Sequence, residues 1–118
     1  MPTEIGNLIN LQKLYLTCNK LQSLPAEIDN LYNLQELDLI NNKLQSLPVE
    51  ILKLKNKVKI DETSYDINNL NIDNEMLIFS KLSIKISNLP LNTKEIWLNF
   101  DIKKDLIKLP FNCMIKYY

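Results

Sequence analysis

The 118 residues set fourteen lysines, and no arginine, against fourteen carboxylates, so net charge is zero and no basic face or arginine fork is available to a phosphate backbone. Histidine is absent, Gly6 is the single glycine and the two cysteines are far apart, which excludes imidazole chemistry, glycine-rich phosphate loops and cysteine-rich zinc sites. With 46% hydrophobic and 24% charged residues the chain is composed like one ordinary folded domain, without an apolar run long enough to span a membrane.

The first predicted element is a short helical turn carrying Ile5, Leu8 and Leu11 at three-residue steps, which gives it one apolar face. Leu14 and Leu16 follow, two apart, and so point to one side of a short strand. Asn19 stands where that strand turns away, and Pro25 then fixes φ at the start of a return segment whose first turn carries Glu27, where a negative charge suits free backbone N–H groups. Ile28, Leu31 and Leu34 repeat the apolar turn, Leu37 and Leu39 the strand, Asn42 the asparagine, and Pro48 with Glu50 the next return. The string Leu34 to Pro48 copies Leu11 to Pro25 at a period of twenty-three (34 − 11), the signature of stacked repeats whose apolar faces are buried only by their neighbours. A buried carboxamide at Asn19 and Asn42 is expected to bond backbone groups of adjoining turns that would otherwise lack partners.

A third unit opens with Leu47-Pro48 and Ile51, but the same period puts Lys57, Glu62 and Tyr65 where Leu34, Leu39 and Asn42 stood. Ile60 keeps a core place, predicting a strand near 58–60. Beyond it a looser repeat is expected: Glu75 and Glu95 each precede an apolar run, and the Leu-Pro pairs at 89 and 109 are also twenty apart (109 − 89). The regular repeats are therefore assigned to 1–65, about two and a half units, and a degenerate continuation or cap of the same stack to 66–118. In the last unit a one-residue slip makes Ile115, with Tyr117, the inward residues.

The pattern Leu-Pro-x-Glu-Ile-x-x-Leu-x-x-Leu, over residues 1 to about 60, resembles the leucine-rich repeats of the intracellular kind found in Ras-pathway scaffolds, scribble-type polarity proteins and plant homologues. The segment Leu89 to Leu98 is similar to FNIP-type repeats, and the richness in Asn, Ile and Lys is similar to proteins of giant DNA viruses or social amoebae. The resemblance implies an α/β fold: a curved right-handed solenoid with a parallel sheet on its concave side and short helices or 3-10 turns on its convex side. It also implies a non-catalytic module for protein–protein interaction, without cofactor or metal. Two further readings remain beside it, a truncated repeat fragment without independent activity and the targeting part of a ubiquitin-ligase-type effector.

The binding residues of such a module are expected among the strand positions that alternate with the core leucines. At the twenty-three-residue period Lys13, Glu36 and Lys59 form one row and Tyr15, Asp38 and Asp61 the next. The second is the better candidate, because two like charges side by side cost stability and a tyrosine beside them offers a rigid contact. Ile40 continues the face, and Trp97, between inward Ile96 and Leu98 and twenty residues after Leu77, is expected to stand exposed on it as an interface anchor. The partner is an unknown protein, not nucleic acid or membrane. Cys18 and Cys113 are expected to stay reduced inside the cell, in the cytoplasm. Met1, Ile5, Leu8, Leu14 and Leu16 form a first unit without a polar cap, an edge expected to favour self-association.

Overall fold

The computed structural model describes residues 1–70, 76–90, 93–110 and 112–118, and of Lys104 the backbone alone. Each return segment is a 3-10 turn: Thr3–Asn7, Ala26–Asn30 and Val49–Leu54, preceded by Pro2, Pro25 and Pro48 at φ −73°, −73° and −68°. The three-residue apolar spacing explains the choice, because residues three apart eclipse one another in a 3-10 turn but drift apart in an α-helix. In the second repeat the i→i+3 bonds fall on the apolar residues themselves: Ile28 N–H to Pro25 O at 3.2 Å, Leu31 to Ile28 at 3.3 Å, and Leu34 to Leu31 at 3.1 Å. All three side chains are buried.

Six short strands follow the turns: β1 (Lys13–Tyr15), β2 (Glu36–Asp38), β3 (Val58–Lys59), β4 (Met76–Phe79), β5 (Glu95–Leu98) and β6 (Met114–Tyr117). They form two parallel three-stranded sheets, β1-β2-β3 and β4-β5-β6. Parallel strands joined through turns packed on one side make this an α/β repeat fold in which the helical component is 3-10.

The ladder from β1 to β2 pairs Leu14 with Leu37, keeping the period of twenty-three (37 − 14), but β2 to β3 pairs Leu37 with Val58, only twenty-one on (58 − 37). Lys57 N–H bonds Leu54 O at 2.8 Å as Leu34 bonds Leu31, and the very next residue enters the strand. Gln35 and Glu36, which separate Leu34 from Leu37, have no counterpart. The expected third repeat is thus corrected by two residues: Ile60 answers Leu39, Asn42 N–H bonds Thr63 O at 3.1 Å, and Tyr65 forms the bridge to Leu44. In the second sheet the step is nineteen: Leu77 pairs with Ile96 (96 − 77), and Ile96 with Ile115 (115 − 96). Leu77 and Ile96 are fully buried, Ile115 partly so, and Tyr117 is exposed rather than inward.

Among the described residues no ladder joins β3 to β4. Ser80 spans the gap, donating its N–H to Ile60 O (2.8 Å) while its hydroxyl accepts from Ile60 N–H (2.8 Å). Deeper in, the buried Tyr65 hydroxyl donates to Ile78 O at 2.7 Å and accepts from Ile78 N–H at 2.9 Å, replacing the strand that Ile78 lacks on that side. One apolar cluster runs from Leu24 through Leu37, Ile60, Phe79 and Ile96 to Ile107, so both sheets share a core.

Candidate functional site

The outward positions of the first sheet carry a polar ladder. Tyr15, 56% exposed, donates its hydroxyl to Glu36 Oε2 at 3.0 Å, and Lys59 Nζ lies 2.8 Å from Glu36 Oε1. The Lys59 ammonium and then the Tyr15 hydroxyl hold Glu36 below the usual carboxylate range, while the bond to Glu36 pushes both Tyr15 and Lys59 up. Asp38 is half-exposed and accepts Ile40 N–H on Oδ1 at 3.0 Å, closing the strand exit. Ile40 is half-exposed beside it, its carbonyl bonded by Cys18 N–H at 3.2 Å.

Asp61 does not join this face. The two-residue shortening places Lys59, not Asp61, opposite Asp38, so the expected pair of like charges is replaced by opposite ones. Asp61 lies beyond the strand, only 8% exposed, as the cap of the 3-10 turn Glu62–Ser64. Its Oδ1 accepts from Thr63 N–H (2.9 Å) and Thr63 Oγ1 (2.6 Å), and Ser64 Oγ accepts Asp61 N–H (3.0 Å), a reciprocal capping box.

Trp97 alternates with the buried Ile96 and Leu98 in β5, but its ring is half-buried against the core cluster rather than freely exposed. Its lateral neighbour is Ile78, not Leu77, because the step is nineteen. The indole N–H donates to Glu95 Oε2 at 3.2 Å, and Lys116 Nζ lies 3.0 Å from Glu95 Oε1. Two ammonium groups lie over the ring, Lys116 at 5.3 Å and Lys55 at 5.8 Å from its centroid. Lys116, and then the indole N–H, hold Glu95 below the usual carboxylate range.

The two asparagines differ. Asn42 is buried; its Oδ1 accepts the N–H groups of Asn19 (3.1 Å) and Leu21 (3.0 Å), and its Nδ2 donates to Leu16 O (2.9 Å) and Leu39 O (3.0 Å). It ties its own repeat to the one before it. Asn19 is exposed and makes one local side-chain bond, to Thr17 O at 3.3 Å, so the expected strut is absent there: such a side chain reaches back to a preceding repeat, and β1 is the first strand of its sheet. At the same end Leu8 and Ile9 are about half exposed, and Leu11, Leu14 and Leu16 are partly buried.

Tyr65 and Lys55 did not stand out in the sequence. Tyr65 occupied an asparagine place at the uninterrupted period, and only the echo of Leu37-x-Leu39 in Val58-x-Ile60 reveals the shift that makes it a core residue. Lys55 belongs to an alternating run, Lys53, Lys55, Lys57 and Lys59, which is the available signal.

Residues 9–59 match the leucine rich repeat family model. No curated protein matches the chain. The matched segment holds β1, β2, β3 and the proline-led turns between them, so it is over these residues that the chain is similar to leucine-rich repeats.

Proposed function

We propose that the chain is a non-catalytic protein-interaction module that binds its partner on the concave face of a leucine-rich repeat solenoid, with Tyr15, Asp38, Ile40 and Trp97 among the contacting residues. Leucine-rich repeats generally mediate protein–protein interaction. In this reading 1–65 supplies the regular repeats and 66–118 a degenerate continuation of the same solenoid, and the module works inside the cell with Cys18 and Cys113 as thiols. No helix among the described residues is long and apolar enough to cross a membrane.

One observation carries the reading: in β1, β2 and β5 the alternate side chains pack on the core, leaving the Tyr15, Asp38 and Trp97 positions as a surface of aromatic and charged groups on short strands. Selection from a displayed random-peptide library on the immobilised chain tests it. Binders should be lost or weakened about tenfold in Tyr15→Ala/Asp38→Lys or in Trp97→Ala, while Tyr32→Ala, at an exposed position outside the strands, leaves them unchanged. Binders indifferent to every strand substitution but sensitive to Tyr32→Ala would place recognition on the turns instead.

A further inference from the structure

Lysines at alternate positions, Lys53, Lys55, Lys57 and Lys59, surround the point where the repeat shortens. The outer two are neutralised by the preceding repeat: Lys53 Nζ lies 2.8 Å from Asp29 Oδ2, and Lys59 Nζ 2.8 Å from Glu36 Oε1. The inner two are not. Among the described residues neither Lys55 nor Lys57 has a carboxylate within 4.0 Å.

Lys55 is also half-buried, and among the described residues its ammonium has a long contact to Leu52 O at 3.4 Å and the Trp97 ring. Lys116, over the same ring, is balanced by Glu95. Among the described residues the Trp97 edge of the face therefore carries positive charge without a carboxylate partner beside a half-buried aromatic surface, and partial burial strengthens attraction for an incoming carboxylate.

From this charge imbalance we infer that the Lys55–Trp97 strip docks an acidic segment of a partner protein, one carboxylate meeting Lys55 and an adjoining apolar side chain lying on the indole. The inference rests on the concave-face reading and names the partner's chemistry at one end of that face. A nucleic acid fits less well: the chain has no arginine and no net positive charge to meet a phosphate backbone.

Trp97 is the single tryptophan, so its emission reports directly on the strip. Peptides enriched from a random library on the full chain would be synthesised and titrated while Trp97 emission is followed. The expected peptides are net acidic, change the emission saturably, and bind about tenfold more weakly to Lys55→Gln. Lys53→Gln and Lys59→Gln, whose charges are already balanced, should stay within about twofold. Circular dichroism and the melting transition of each variant separate lost binding from lost folding, and Lys55→Arg, which keeps the charge, should rescue. Enriched peptides that are neutral or basic, or acidic peptides held equally by Lys55→Gln, would overturn the inference. Displacement of the peptides by a single-stranded oligonucleotide would also overturn it, in favour of nucleic acid. Peptides dependent on Tyr15 and Asp38 but not on Lys55 would overturn it while leaving the concave-face reading in place; absence of any strand-dependent binder would remove both.

Discussion

A buried carboxamide with both ends occupied costs most when it is removed, because its partners stay desolvated. Asn42→Ala strands the N–H groups of Asn19 and Leu21 and the carbonyls of Leu16 and Leu39, and should lower stability by about 1–3 kcal/mol in urea unfolding. Asn19→Ala, which removes one exposed local bond, should cost well under 1 kcal/mol. A suitable control next to Asn42 is Asn41→Gly rather than Asn41→Ala, since Asn41 sits at φ 57°, where alanine adds strain that has nothing to do with the strut. Equal losses at 19 and 42 would remove the strut argument. The spacing of the two asparagines was plain in the sequence; that Asn42 bonds a neighbouring repeat comes from the geometry, in which its side chain reaches back to Leu16, Asn19 and Leu21.

Acid titration gives a second test at this scale. Glu95 is held below the ordinary carboxylate range by Lys116 and the Trp97 N–H, so Trp97 emission should change on acidification with a midpoint below 4.5, and Glu95→Gln should abolish that change. A midpoint at or above 4.5 would show that the contacts to Glu95 do not persist in solution. Glu36 is depressed in the same direction by Lys59 and Tyr15. A carboxylate whose folded value lies below its unfolded one contributes stability above the unfolded value and loses it as pH falls through the folded value. Both ladders therefore favour folding at neutral pH and weaken in acid, and as both are exposed the effect is small and fades with salt.

At the scale of elements, the decisive event is the loss of two residues between Leu54 and Val58. The twenty-three-residue period made the 3-10 turns, the first two strands and the inward leucines readable, because each repeat must bury the same face. It could not reveal the shortening, since at an unbroken period the third unit looks merely decayed. Local alternation was the better guide: Val58-x-Ile60 restates Leu37-x-Leu39, and Asp61-x-x-Ser64 is a cap, not a strand pair. Trp97 shows the other limit. Its alternation with Ile96 and Leu98 was legible, whereas the cover given by Lys55 was not, because Lys55 reaches the ring only across the junction between the sheets.

That junction is held by a side chain. Tyr65 is fully buried, its hydroxyl pushed far above its ordinary pKa by desolvation, so it stays a neutral phenol able both to donate and to accept. Tyr65→Phe keeps the ring packing on Phe79 at 5.2 Å but strands the N–H and C=O of Ile78. The expected cost is about 1–3 kcal/mol, with faster hydrogen exchange at the Ile78 amide. Tyr118→Phe, which removes a single part-buried bond to Phe79 O, should cost less. Unchanged exchange at Ile78 in Tyr65→Phe would mean that the hydroxyl does not stand in for a strand.

For the whole molecule the question is whether two sheets that no ladder joins among the described residues unfold together. Stability in a repeat stack is approximately a sum of terms for each unit and for each interface between neighbours, so the junction alone decides the coupling. Here the interface is a shared apolar core with the Tyr65 and Ser80 bonds set into it, in a body of 40 × 27 × 24 Å. Leu37→Ala empties a fully buried place in the first sheet and should cost about 2–5 kcal/mol. Trp97, in the second sheet, reports only its own surroundings. If the core couples the sheets, Leu37→Ala lowers the denaturation midpoint read from Trp97 emission by as much as that read from far-ultraviolet circular dichroism. Combining it with Tyr65→Phe should then pull the two midpoints apart, because the double variant weakens one sheet and the contact through which the other supports it. A Trp97 midpoint untouched by Leu37→Ala, beside a shifted dichroism curve, would show two independently folding halves and would confine the effect of each substitution to its own sheet.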